Sequence, residues 1–535
     1  MRYRALITVA AAYVIIVSAT AALSNVRAAT LAPLLNTGSC NLPFDIQCYL
    51  PGGKHEDPDV AREADITADT ELAAVMQIQR NPPHDLFHAV TLLGKAELYD
   101  STLSVYKNVA CATCHVADTG FTNPSSRLAP ALIDFPGSVK ITNVSRQHPN
   151  VRIGDRRPQT YGYAPYMQVL HYDSVQKDFY GGNFWDMRAT GLRLGNPAAE
   201  QAEGPPTNPN EMGLSDTACV VYALSKSPYA SFFARIWGAQ SFAIHWPAGV
   251  EGVCAKPGPP PANNPYPVHL SAIDRGASNA TYDHFAEAIA SYEASPEVSP
   301  FSSKYDAWLA GKANLSAPER RGYDLFNGKA KCDTCHSDGA GSAAAAGLRV
   351  GRSEVRIAGV LMAATTEPLF TDQTSSNLGL PKNYELPFLY EDVSDQFGFT
   401  ANPPGTKYID LGVGGFLNNP AENPNPSWAL LAPQFYGKFQ VPTLRNVDKR
   451  PRTDFGKAYM HSGYLHSLEE VVHFYNTRDK FPHCRYGSPG EKISCWPAPE
   501  VSMNEDQTVG NLGLTDREEA DLVAFLKTLT DGYIP

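Results

Sequence analysis

Residues 111–115 read CATCH and residues 332–336 read CDTCH. In a CxxCH string the two thiols can add to the vinyl groups of a haem, while the histidine that follows reaches the iron from the proximal side. The spacing suits this chemistry because a short turn sets both sulfurs on one edge of the macrocycle with the imidazole beneath it. One such string is also compatible with chance or with a redox dithiol. Two strings, with no further CxxC pair to build a zinc site, predict two covalently bound haem c groups. Cys111, Cys114, Cys332 and Cys335 are then the attachment residues. His115 is the ligand of the first iron and His336 of the second.

The segments leading into the two strings resemble each other. LLGKAELYDSTLSVYKNVA precedes the first and ERRGYDLFNGKAK the second, each an apolar helical stretch running into a turn. Ser316 with Glu319, and Thr515 with Glu518, are capping boxes, and Pro318 falls in the first turn after Ser316. Ser467 with Glu470 is a third box, opening SLEEVVHFYN. Within it Leu468, Val471, Val472 and Tyr475 share one helical face, which makes Tyr475 an inward-facing aromatic. Strand patterns are scarce, and long Pro/Gly/Asn-rich loops such as KPGPPPANNPYP (256–267) and NNPAENPNPSW (418–428) join the helices. The expected fold is mainly α, with two cytochrome c-like haem domains and long irregular loops. The boundaries are 85–300 for the first haem domain and 301–535 for the second, whose last helix can pack back on the first.

The 535-residue chain has a formal net charge of -11, which argues against nucleic acid as a partner. Arg2 and Arg4 precede an apolar run from Ala5 to Leu23, and Val26-Arg27-Ala28 follows. This pattern predicts an export signal over residues 1–28, with an uncleaved membrane anchor as the alternative. Residues 29–84 form an extension with no assignment. Export puts the protein in the periplasm, where cysteines left outside the haem strings pair. Six of the ten remain, and neighbours predict the bridges Cys40–Cys48, Cys219–Cys254 and Cys484–Cys495.

Further strings then resemble, in order, the bacterial dihaem cytochrome c peroxidase/MauG family over roughly residues 85–535. They are FWDMRATG (184–191), EQAEGPPTNPNEMG (200–213), FTD (370–372) with NLGLP (377–381), VPTLRNV (441–447) and YMHSG (459–463) running into SLEEVVHFY. The resemblance implies that the first haem is the five-coordinate, peroxide-reacting one, with Glu211 and Gln201 on its open side and Pro205 packed over the same face. A carboxylate at Glu211 can move a proton between the two peroxide oxygens, and the Gln201 amide can orient the peroxide without carrying its proton. Trp185 matches a tryptophan between the haems that can relay charge. About six extra residues, the GLRLGN region, separate Trp185 from Gln201. The family also binds a calcium ion between its halves. Here Arg156 or Arg157 stands where an asparagine ligand would fall, and DKRPRTDFGKA is inserted before YMH, so calcium stays open. His148 falls where some members carry a loop histidine that blocks the resting site.

The sixth ligand of the second haem separates the branches of the family. Cytochrome-oxidising members use a methionine fourteen residues after the YxH histidine, and MauG-like members a tyrosine. Counting from His461 gives Tyr475; Met460 does not fit that place. A hard phenolate favours oxidised iron where a soft thioether favours reduced iron. The resemblance therefore implies a MauG-like enzyme, near the longer BthA-like members, able to share oxidising equivalents as Fe(IV) at both haems through Trp185. Its expected reaction is reduction of hydrogen peroxide, with electrons from a small cytochrome c or cupredoxin. The alternatives are a MauG-like oxidase that modifies side chains of a partner protein and a non-enzymatic dihaem electron carrier. The electron carrier leaves Glu211 and Gln201 without a role.

Overall fold

The computed structural model describes residues 86–122, 136–141, 151–338, 353–453 and 455–535. The signal, the N-terminal extension, the Cys40–Cys48 bridge and His148 lie outside these residues. Everything described belongs to one compact unit. Its structure is mainly helical, and the strands form only two-stranded pairs among the described residues.

The same construction appears ahead of each haem string. The helix Leu86–Leu98 packs against Ala272–Glu293, and Ala317–Phe326 packs against Asp516–Lys527. Each crossing is closed by a glycine. A side chain at Gly94 would collide with the Ala288 carbonyl, and one at Gly322 with the Asp521 carbonyl. The two backbones approach this closely only because no Cβ stands between them. One buried core gathers residues from Ala89 to Val298 around the first crossing, and a second gathers Tyr305 to Leu529 around the other.

The helix ends follow the sequence closely. Thr515 and Glu518 form a reciprocal box, with Glu518 accepting from the Thr515 N–H at 2.8 Å. The Glu319 carboxylate accepts from the Ser316 N–H at 2.6 Å. At Ser467 only half of the box is made. Its hydroxyl accepts from the Glu470 N–H at 3.0 Å, whereas the Glu470 carboxylate reaches one residue further back, to the His466 N–H at 2.8 Å. The helix that follows runs Leu468–Thr477. Among the described residues two disulfides are present, Cys219–Cys254 and Cys484–Cys495, and the four cysteines of the CxxCH strings are free.

Candidate functional site

Each haem string is a tight turn that ends on its histidine. Cys111–Cys114 makes a single helical turn closed by the His115 N–H on the Cys111 carbonyl, 3.1 Å. Cys332–Thr334 is a 3₁₀ turn, and the His336 N–H returns to the Cys332 carbonyl at 2.8 Å. His115 Nδ1 lies 3.0 Å from the Phe121 carbonyl, and His336 Nδ1 lies 3.0 Å from the Phe370 carbonyl. A carbonyl only accepts, so both rings carry a proton on Nδ1 and keep the Nε2 lone pair for a metal. Burial lowers both histidines to about 4, which keeps them neutral and ready to ligate. Two free thiols beside a neutral, oriented imidazole, repeated in both halves, fit two covalently held haems.

An apolar-walled cavity of about 190 Å³ lies against the second haem string, and its wall includes Cys332, Cys335, His336 and Tyr475. Gly120 and Thr122, which flank the Phe121 that holds His115, also line it, whereas Cys111, Cys114, His115, Gln201 and Glu211 do not. Leu468, Val471, Val472 and Tyr475 all line it, so the helical face read from the periodicity is the one turned to the cavity. Burial, followed by the nearby Cys335 and Cys332, pushes the Tyr475 phenol well above the ordinary tyrosine range. Met460 lines the same wall.

Trp185 also lines this cavity and is almost wholly buried. Its indole N–H donates to the Arg157 carbonyl at 2.8 Å, and the Arg157 guanidinium sits 5.7 Å above its ring. His461 meets the indole edge-on at 6.4 Å and stacks on Phe439 at 3.5 Å.

Glu211 lies near the first haem string. Its charge bears on both Cys111 and Cys114. Its backbone is clamped, because the Ser138 N–H donates to the Glu211 carbonyl at 2.6 Å and the Val105 N–H to the Met212 carbonyl at 2.8 Å. Gly137 permits that approach, since a side chain there would strike the Asn210 carbonyl. The Asn208 amide donates to Glu211 Oε1 at 2.7 Å. Burial pushes Glu211 up to about 7, against the lowering influence of Arg188. Pro205 is tied to the same turn through its carbonyl, which accepts from the Met212 N–H at 3.2 Å. Gln201 lies on the short helix Pro197–Ala202, capped by Asn196.

A di-haem cytochrome c peroxidase family model matches residues 88–314. Across 458 residues the chain is 30% identical to the methylamine utilization protein MauG of Paracoccus denitrificans, covering 85% of this chain and 90% of the relative. The chain belongs to the dihaem cytochrome c peroxidase family. The cytochrome-c peroxidase IdrP1 of Denitromonas iodatirespirans is 25% identical over 447 residues, covering 82% of this chain and 80% of the relative. The diheme peroxidase BthA of Burkholderia thailandensis shares the fold, with a TM-score of 0.55 at 23% identity over 83% of this chain and 86% of that one.

This dihaem peroxidase-family enzyme also holds residues that the motifs did not flag. Glu200, next to Gln201, gathers the GLRLGN loop. Its carboxylate accepts from the Gly191 N–H (2.6 Å), the Arg193 N–H (2.6 Å), the Leu194 N–H (3.1 Å) and the Thr190 hydroxyl (3.0 Å). The extra residues are thus pinned to the helix that carries Gln201. Arg156 bridges two buried carboxylates, with Asp410 held at 2.7 Å by both Nε and Nη2 and Asp186 at 2.6 Å by Nη1. Burial would raise Asp186, but Arg188 and Arg156 outweigh it and hold it at about 2. The only sequence signal for either feature was a departure from the family pattern.

Proposed function

We propose that this enzyme reduces hydrogen peroxide to water, with His115 as the residue that would hold the iron of the peroxide-reacting first haem and His336 and Tyr475 as those that would hold the iron of the second. The observation that carries the reading is Tyr475, which shares its cavity wall with Cys332, Cys335 and His336 while Trp185 lines the same cavity. When bound, the haems supply the iron at which the peroxide O–O bond breaks and the capacity to take up and return two electrons. Glu211, raised to about 7, takes the proton from one peroxide oxygen and returns it to the departing one. Two further protons and two donor electrons complete the conversion to two waters. Gln201 orients the peroxide through its amide, and Pro205 limits the room above the same face. Trp185 relays charge between the two halves.

The apolar N-terminal run and the two disulfides support a periplasmic setting. No helix of the described residues is long and apolar enough to cross a membrane. A small cytochrome c or cupredoxin is the donor we assign. The test is one equivalent of hydrogen peroxide added to the diferric protein. Spectral change at both haems together, without a protein radical, is the expected result. A radical accompanied by change at the first haem alone would refute charge sharing.

A second reading, oxidation of side chains on a partner protein, is favoured by the 30% identity to a protein named for methylamine utilization. Steady oxidation of a reduced cytochrome c at the expense of peroxide, with no partner modified, decides for the first reading.

A further inference from the structure

The family resemblance brings with it a calcium ion between the two halves, and the residues here do not fit one. Calcium needs roughly six to eight oxygen ligands. At this junction the buried carboxylates of Asp410 and Asp186 are already engaged by nitrogen donors. Arg156 takes both Asp410 oxygens and one of Asp186. That Asp186 oxygen also accepts from Arg188 at 2.7 Å, and Asp410 Oδ1 from the Gly412 N–H at 3.0 Å. On the inserted string before YMH, Lys457 Nζ donates to the Asn446 and Lys449 carbonyls at 3.2 and 3.1 Å. Arg157 Nε donates to the Met460 carbonyl at 3.1 Å. Among the described residues, no group of three or more His, Cys, Asp or Glu side chains is placed to hold a metal. The three guanidiniums of Arg156, Arg157 and Arg188 at this junction also repel a further cation.

We propose that Arg156 is the resident cation of this junction, a positioning residue that ties the Trp185 segment to the second half and makes a dissociable ion unnecessary. Asp186 directly follows Trp185, and Asp410 lines the cavity that Trp185 lines. The guanidinium therefore ties the backbone next to the indole to Asp410 in the opposite half of the chain. Its planar fork suits this role, because two parallel hydrogen bonds to Asp410 set direction as well as distance. The Phe439 ring lies 5.7 Å from it, on the side where Phe439 stacks on His461.

The test uses the dihaem holoprotein. Elemental analysis after dialysis is expected to give two irons and no calcium per chain, with the same Tm in millimolar calcium chloride and in millimolar EDTA. One tightly held calcium per chain, or a Tm that falls in EDTA and returns with calcium, overturns the proposal. Arg156→Gln is expected to lower Tm by several degrees and to slow electron exchange between the two haems, with Arg156→Lys recovering part of both. Unchanged exchange in Arg156→Gln overturns the positioning role. If that variant does not fold, Asp410→Asn, which keeps volume and removes one arm of the bridge, is read in the same way. These readouts do not depend on whether the enzyme reduces peroxide.

Discussion

The indole N–H of Trp185 and the carbonyl of Arg157 lie 2.8 Å apart, so one hydrogen bond fixes a ring that lines the cavity beside the second haem string. Trp185→Phe keeps the apolar bulk and deletes that donor. The Arg157 carbonyl is then left without this partner, at a cost of about 1–3 kcal/mol. Stopped-flow reduction is expected to show slower equilibration between the haems in the variant. Equilibration at the wild-type rate would remove Trp185 from the relay.

Tyr475 is the ligand we propose for the second haem. Tyr475→Met replaces a hard oxygen by a soft sulfur, and its midpoint potential is expected to rise by a sizeable part of the roughly 0.8 V that axial ligands span. Met460 lines the same wall, so Met460→Leu is the control, expected to leave that potential in place. Spectroelectrochemical titration of the two variants separates them. The reverse pattern would make Met460 the ligand.

In the proposed mechanism Glu211 sets the pH dependence of the peroxide reaction. Its carboxyl must be ionised to accept the first proton, and burial raises it to about 7. The rate constant should therefore climb as pH rises through about 7. Glu211→Gln should lower it by about 10²–10⁴-fold and flatten the profile. The same shift acts on stability with the opposite sign. A carboxyl raised in the folded state contributes stability below the unfolded-state value that is lost as pH rises through about 7. Denaturant midpoints across this range check that half of the prediction.

Gly94 and Gly322 close the two helix crossings. Alanine is the better helix former by about 1 kcal/mol, yet a Cβ at either position strikes backbone on the facing helix. The clash is expected to win, so Gly94→Ala and Gly322→Ala should each destabilise by about 1–3 kcal/mol in guanidinium unfolding. A gain in stability would mean that the helices can slide apart.

The Cys219–Cys254 bridge closes a loop with a sequence separation of 35. Replacing both cysteines by serine should cost about 3–4 kcal/mol, read from the shift in unfolding midpoint at unchanged slope.

Much of this arrangement was legible because its signals are local or periodic. The haem strings, the three helix starts and the inward face of Leu468, Val471, Val472 and Tyr475 each rest on spacing within one or two turns of chain. Tyr475 gained its special place from a fourteen-residue count that crosses no insertion. The junction was not legible in the same way. Arg156 meets Asp410 across a separation of 254 residues, and no propensity or period connects them. Glu200 stood inside a recognised string, but its task of receiving four donors from the GLRLGN loop exists only once that loop folds back. The half-made box at Ser467 has a similar origin, since Glu470 had two backbone N–H groups within reach and took the earlier one.

The charges around Trp185 also set how long an oxidising equivalent can stay there. An indole that has lost an electron is a cation, and Arg157 already holds a positive charge 5.7 Å from its ring. At an effective dielectric of about 20, two unit charges at that separation repel by about 3 kcal/mol. If Trp185 relays charge as proposed, the ring is a step that the charge crosses without resting, and an indole that never keeps a charge is spared the oxidative damage that accumulates where charge lingers.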